Sequence, residues 1–242
     1  MSRLIELLDR IREHTPRPAG FRSSDKNHGE FGLIAQLTPE ALTDDPKLVN
    51  SGADAFLLQI GSLDHPDLPA SADTLKGEIW GVRLPLFTLA ETKELIRLGC
   101  DYVIFDAAGT EAGLLTLQDL GIVITVDHRS DEGMIRTLGE LSINGLLFRP
   151  AIQESPLSFH TLANIQRVCG VIDRPLLLEL PEGIGAADLE VLRSVETTGL
   201  IINVPPASQP VKIQNLMTQL PPRSEGRMIR RAVPFSFSDE FL

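Results

Sequence analysis

The chain has 242 residues, enough for one large domain or two small ones at about 100–200 residues each. Hydrophobic residues make up 43% and charged residues 23%, with 17 Pro and 19 Gly, which excludes a disordered chain, a collagen and a coiled coil. The net charge of −11 argues against a duplex nucleic-acid binder, which neutralises phosphates with Lys and Arg.

The first ten residues include Glu6 and Asp9 and no long apolar core, so no signal peptide is expected. No apolar run approaches the ~20 residues of a membrane-spanning helix. Cys100 and Cys169 form no C-x-x-C pair, which suits reduced thiols in a cytoplasm. Residues 2–15 read as an amphipathic helix with Leu4, Ile5, Leu8 and Ile11 on one side. Such a helix can plug one end of a domain or pair with another subunit. The basic stretch 17–26 comes after it, with Arg22 and Lys26 placed to meet a partner or the acidic body of the protein.

Eight short apolar runs come next, at 32–37, 55–60, 79–84, 102–107, 121–126, 145–150, 175–180 and 199–204. Each is rich in Ile, Leu or Val and bounded by Gly, Pro or Asp, the pattern of a strand buried on both faces. Helical patterns separate them. Residues 92–99 end at Gly99, as a C-cap would. Ser130 is placed to N-cap a helix carrying Met134, Ile135 and Leu138. Residues 188–193 and 211–220 continue the alternation. The pattern over 41–51 is weak. That over 61–77, interrupted by Pro66 and Pro69, predicts a short helix or none.

Strand and helix alternating eight times predicts a parallel sheet with helical crossovers. Eight units in this length fit a closed (β/α)8 TIM barrel, usually ~250 residues. An open doubly wound sheet is the alternative, and the regular spacing favours closure. The expected organisation is a single domain: an N-terminal extension over 1–26, the barrel over 27–220 and a tail over 221–242.

The fifth residue of each run is polar: Gln36, Gln59, Arg83, Asp106, Thr125, Arg149, Glu179 and Asn203. Side chains alternate faces along a strand, so eight equivalent positions share one orientation. A polar residue in that register is costly against the helix layer. The ring is therefore expected to face the barrel axis at the C-terminal mouth, where barrel enzymes place their active sites. Arg83 and Arg149 can hold a phosphate or carboxylate, while Asp106 and Glu179 can move protons. The competing reading is two self-satisfied ion pairs, Arg83 with Asp106 and Arg149 with Glu179.

Asp127 lies two residues past Thr125. With Asp106 and Glu179 it forms a candidate Mg²⁺ set, since hard cations take oxygen ligands. Alternatively Asp127 caps the next helix or pairs with Arg129. His128 is the best placed of the 5 histidines for acid–base work, or else a surface residue. Gly183 and Gly185, before the helix at 188–193, could present free N–H groups to a phosphate, or serve only as turn glycines. Pro205 and Pro206 remove donors from the loop after the eighth run. No run carries an interior Lys, and no G-x-S-x-G, G-x-G-x-x-G or Walker sequence is present.

The phrases Leu98-Gly99-Cys100-Asp101-Tyr102-Val103-Ile104-Phe105-Asp106 and Thr198-Gly199-Leu200-Ile201-Ile202-Asn203 resemble strand openings of the compact phosphate-binding (β/α)8 barrels of sugar-phosphate, tryptophan and thiamine metabolism. The resemblance implies small phosphorylated substrates and lyase or isomerase chemistry, sometimes with Mg²⁺. The chain departs from that group where it lacks a Gly-Gly after the seventh run, a Gly-Ser after the eighth and a strand-end Lys.

The expected function is a cytoplasmic enzyme, of lyase or isomerase type, acting on a small anionic metabolite, with no nucleic acid or membrane involved. Asp106, Asp127, Glu179 and His128 are the candidate catalytic residues. Gln36, Gln59, Arg83, Arg149, Asn203, Gly183 and Gly185 are the candidate substrate-binding residues. The alternatives are a non-catalytic scaffold using the tail that holds Phe235, Phe237 and Phe241, and a sensor that binds at the mouth without turnover. Homo-oligomerisation through the terminal segments fits either function.

Overall fold

In the computed structural model, residues 2–14, 31–150, 155–204 and 208–218 are described. Eight parallel strands close into a barrel in chain order. They are β1 (Gly32–Leu37), β2 (Ala55–Gln59), β3 (Trp80–Arg83), β4 (Tyr102–Asp106), β5 (Gly121–Asp127), β6 (Gly145–Arg149), β7 (Leu176–Glu179) and β8 (Gly199–Asn203). Gln36 pairs with Asn203, so β8 returns to β1 and no sheet edge remains. The open-sheet alternative is thereby excluded. The register steps by two residues at β1–β2, β3–β4, β5–β6 and β7–β8, and is level elsewhere. All four steps run the same way, giving the shear of about eight that fixes strand tilt in this fold.

The helices are α1 (Arg3–His14), α2 (Pro39–Asp44), α3 (Leu68–Thr74), α4 (Leu89–Arg97), α5 (Glu132–Glu140), α6 (Phe159–Val171), α7 (Ala186–Ser194) and α8 (Ser208–Thr218). The weak pattern after β1 resolves into α2 and a 3-10 turn, Pro46–Asn50, because Pro46 ends the first helix. Helix α3 is short, as its prolines imply. One expected helix is missing: β4 and β5 are joined only by a 3-10 turn, Ala112–Thr116. This is the shortest of the seven strand-to-strand connections. The N-cap of α5 is Asp131 rather than Ser130: its Oδ2 accepts from the Met134 N–H at 3.1 Å. Helix α4 starts three residues earlier than expected, because Thr88 and Glu91 form a reciprocal capping box.

Inward and outward residues alternate along every strand. Ile34, Leu57, Ile104, Val123, Leu147, Leu177 and Ile201 fill the interior. Leu33, Phe56, Trp80, Val103, Phe148 and Leu200 face the helix layer. The bottom of the barrel is built differently. β1, β5 and β8 open with Gly32, Gly121 and Gly199, and the space this leaves is taken by α1. A Cβ on Gly32 would sit 3.1 Å from a Leu8 methyl, and one on Gly121 would sit 2.7 Å from Ser2 Oγ. Leu4, Ile5 and Leu8 join the interior cluster. Each such burial contributes about 1.5–3 kcal/mol relative to exposure. Asp101, just before β4, secures the plug: its carboxylate accepts from Ser2 Oγ at 2.7 Å and from the Arg3 and Leu4 N–H groups at 2.8 and 2.9 Å. Of the two uses expected for this helix, the structure shows the plug.

Cys100 and Cys169 are buried and form no disulfide, and burial pushes the Cys100 thiol up to about 12. Cys100 therefore stays protonated at neutral pH. The basic stretch 17–26, the prolines at 205 and 206 and the tail over 221–242 lie outside the described residues. No helix among the described residues is long and apolar enough to cross a membrane.

Candidate functional site at the barrel mouth

The polar ring sits where the alternation places it, above the apolar interior at the C-terminal ends of the strands. It encloses a cavity of about 470 Å³. Arg83, Asp106, Thr125, Arg149, Glu179 and Gln59 line the cavity together with the apolar Ile60, Leu84 and Pro85 and with Gly61. Volumes of about 300–1,000 Å³ are typical of small-molecule sites.

Five of the eight ring residues form one network. Gln36, 6% exposed, is its hub. Its Nε2 donates to Gln59 Oε1 at 3.0 Å and to Asn203 Oδ1 at 2.7 Å, and its Oε1 accepts from Arg83 Nη1 at 3.1 Å. The same Nη1 donates to Glu179 Oε2 at 3.2 Å. β3 and β7 are four strands apart in the ring of eight, so this ion pair spans the barrel axis and floors the cavity. Arg83 and Glu179 are each 9% exposed. The ion pairs weighed from the sequence were different. Arg83 does not meet Asp106, because the step at β3–β4 sets Arg83 opposite Ile104 and leaves Asp106 a layer higher. Arg149 is level with Glu179, but Glu179 turns across the lumen to Arg83.

The other three ring residues, Asp106, Thr125 and Arg149, stand on adjacent strands. Asp106 and Arg149 are exposed, and among the described residues neither side chain makes a hydrogen bond or ion pair. Arg83 also keeps capacity in reserve, since only Nη1 of its guanidinium is engaged within the described residues.

Asp127 and His128 do not line the cavity. Asp127 folds the loop after β5: its Oδ1 accepts from the Arg129 N–H at 2.9 Å and from Ser130 Oγ at 3.0 Å. Burial pushes its pKa up, but these hydrogen bonds and nearby His128 outweigh that and hold it below the usual range. Arg167 of α6 ties the same loop down by donating to the backbone carbonyls of Ser130 and His128 at 2.9 and 3.3 Å. The Nδ1 of His128 is buried without a partner among the described residues.

The Mg²⁺ set expected from Asp106, Asp127 and Glu179 does not converge. Among the described residues, the one group of three such side chains with ligand atoms within 4.8 Å of each other is Glu40, His65 and Asp67. There His65 Nδ1 accepts from the Asp67 N–H at 3.2 Å, so the ring proton is on Nε2, which donates to Glu40 at 2.7 Å. Both ring nitrogens are thus already used.

Gly183 and Gly185 also stand outside the cavity lining. Gly183, with φ +80°, makes the turn and Gly185 is the N-cap of α7. Asp188, buried in the first turn of α7, accepts from the Gly185 N–H at 3.2 Å, the Leu157 N–H at 2.9 Å and Ser155 Oγ at 3.2 Å. The N-cap donor of this helix is thus taken by the protein's own carboxylate, whose charge would oppose a second anion there. The spacing of Gly185 and Asp188 matches the second half of a capping box and is the signal that marks it. Ile60, Leu84 and Pro85 were readable only as strand ends, and their role as an apolar wall needs the closed barrel.

No protein-family model matches the chain, and no curated protein matches it. Solved structures do. Tryptophan synthase from Mycobacterium tuberculosis, in a ligand-free mutant form, superposes with a TM-score of 0.58 at 14% identity, over 90% of this chain and 96% of that one. A mutant tryptophan synthase alpha-subunit from the hyperthermophile Pyrococcus furiosus gives 0.57 at 7% identity, over 78% and 97%. The tryptophan synthase a2b2 complex of the same organism gives 0.58 at 8%, over 78% and 94%. The strand rhythm's resemblance to compact phosphate-binding barrels, those of tryptophan metabolism included, is therefore matched by the folded chain, and at these identities what is shared is the (β/α)8 barrel itself.

Proposed function

We propose that the chain is a barrel enzyme, of lyase or isomerase type, acting at the mouth on a small metabolite held by an anionic group. The carrying observation is a pair of charged side chains with no partner among the described residues, Asp106 and Arg149, facing a cavity of about 470 Å³ beside the part-used guanidinium of Arg83. Unspent charge in a concave site at the functional end of the barrel is the arrangement that binds and turns over ligands.

Arg149 anchors the anion, and its planar fork suits a carboxylate or a phosphate equally. Thr125 offers a hydroxyl between the two charges. Asp106 takes or returns a proton on the bound substrate. Glu179 is held across the axis by Arg83, and its second oxygen is open to a proton in transit. Gln36, itself held by Gln59 and Asn203, fixes Arg83 so that its remaining N–H groups stay available to the ligand. Many lyase and isomerase steps begin with proton transfer at carbon or oxygen next to a polarised group, which is what this set would supply. The direct test is deuterium exchange. Substrate-class compounds incubated with the protein in D₂O should gain deuterium at the carbon beside the anion, read by NMR. Asp106→Asn should abolish the gain. Exchange at an undiminished rate in that variant would remove Asp106 from the mechanism.

A second reading is an assembly subunit. It is favoured by Phe159, 92% exposed at the start of α6, by Met134, 56% exposed on neighbouring α5, and by the a2b2 complex described for the Pyrococcus protein. Light scattering before and after removal of the residues beyond 222 tests whether the tail drives assembly.

A further inference from the structure

The balance of charge at the mouth narrows the ligand further than the presence of two arginines suggests. The lining among the described residues holds two cations, Arg83 and Arg149, and two anions, Asp106 and Glu179. Arg83 and Glu179 neutralise each other at 3.2 Å. One guanidinium and one carboxylate are left, on β6 and β4, with β5 between them. They do not pair with each other, and among the described residues neither has another partner, so each can meet an opposite charge on a ligand. A phosphate dianion on Arg149 would meet Asp106 as a like charge and would leave the lining with a net negative charge. At the N-terminus of α7 the carboxylate of Asp188 already takes the Gly185 N–H and stands as a like charge to any phosphate there. One side of the lining is apolar: Ile60 lies directly after β2 and Leu84 and Pro85 directly after β3, with Ile60 and Leu84 mostly sunk in the helix-side core and Pro85 exposed.

We infer that the mouth takes a zwitterion, an α-amino acid or similar amino carboxylate with an apolar side chain. Its carboxylate sits on Arg149, its ammonium on Asp106, and its side chain lies against Ile60, Leu84 and Pro85. This specifies the substrate class of the proposed site and rests on that reading. The ligand carries no net charge, so binding leaves the lining neutral and strands no charge without a partner. Thr125, on the strand between the two charged groups, is in reach of either end of the zwitterion.

The test uses matched compounds that differ in one group. L-leucine, 2-hydroxy-4-methylpentanoate and 4-methylpentanoate share a skeleton and carry an ammonium, a hydroxyl and neither. L-phenylalanine, phenyllactate and 3-phenylpropionate repeat the series at larger size. Inorganic phosphate is the plain anion. Thermal melting of the intact chain is followed with each compound, for wild type, Asp106→Asn and Arg149→Ala. Both variants alter exposed side chains with no partner among the described residues, so their ligand-free melting should match wild type and show that they fold. The expected result is that, in at least one series, the amino acid raises the melting temperature most. Its affinity should exceed that of the deaminated acid by tenfold or more. Asp106→Asn should erase that preference, and Arg149→Ala should remove the response to both. If the deaminated acids or phosphate stabilise wild type as well as the amino acids do, and Arg149→Ala removes that effect, the zwitterion inference falls while the anion site stands. If no compound shifts the melting of wild type, both fall.

Discussion

The two arcs of the polar ring were built from the same strand position and ended in different states. On the arc from β7 through β8 and β1 to β3, Glu179, Asn203, Gln36, Gln59 and Arg83 consume one another's hydrogen bonds. On the arc from β4 to β6, Asp106 and Arg149 stand exposed, and neither has a partner among the described residues. The first arc acts as structure: it caps the apolar interior and cross-braces the barrel through its axis. The second keeps its charges unspent among the described residues. Position in the fold does not separate the two roles. The difference lies in whether each side chain's bonding capacity is spent inside the protein.

The largest effect should come from cutting the brace. Arg83→Met leaves Glu179 nearly buried and without its cation, which costs about 3 kcal/mol; water in the cavity keeps this at the low end for a broken buried pair. Urea unfolding measures it, and a loss below about 1 kcal/mol would show that the pair is solvated. Next comes the hub. Gln36→Leu removes one acceptor and two donated hydrogen bonds at once, and should destabilise by about 2 kcal/mol by stranding Arg83, Gln59 and Asn203.

The loop after β5, outside the ring, should respond more weakly. Asp127→Ala removes the acceptor that folds the loop after β5 and should cost about 1 kcal/mol at neutral pH, comparable to losing a helix cap. Its carboxyl is held below the usual range in the folded state. Its contribution is therefore complete above the unfolded value near ~3.9 and fades as pH falls through the folded one. Wild type and variant should converge in stability as the solution is acidified below that window; a gap that persists at low pH would mean the loop does not depend on the charge. The smallest effect belongs to Asp106→Asn, which should leave stability within about 0.5 kcal/mol of wild type while changing ligand response.

Much of this could be read in advance. The eight strands and the inward polar ring come from short apolar runs at regular spacing, and Gln36 through Asn203 fall in the register that period-2 alternation demands. Partner choice could not be read. Adjacent strands suggested Arg83 with Asp106, but the two-residue register step at β3–β4 separates them in height, and a long side chain reached across the lumen instead. The absent helix between β4 and β5 has a similar origin, since a short connection leaves room for one 3-10 turn only. Asp127 and the glycines before α7 matched chemical motifs by type and spacing. Local hydrogen bonding to Ser130, and the carboxylate of Asp188, engage them in loop and cap structure. Short polar residues near helix starts satisfy their neighbours first, and a sequence motif does not register that competition.

The division of the ring requires that Arg149 on the open arc serve a ligand and not the fold. Arg149→Ala, melted alone and then with the amino and deaminated acids that stabilise wild type, tests this in one experiment. Ligand-free melting indistinguishable from wild type and no response to any of those acids are expected. A variant that melts early without ligand, or that still shifts as far as wild type with it, would contradict the division of the ring.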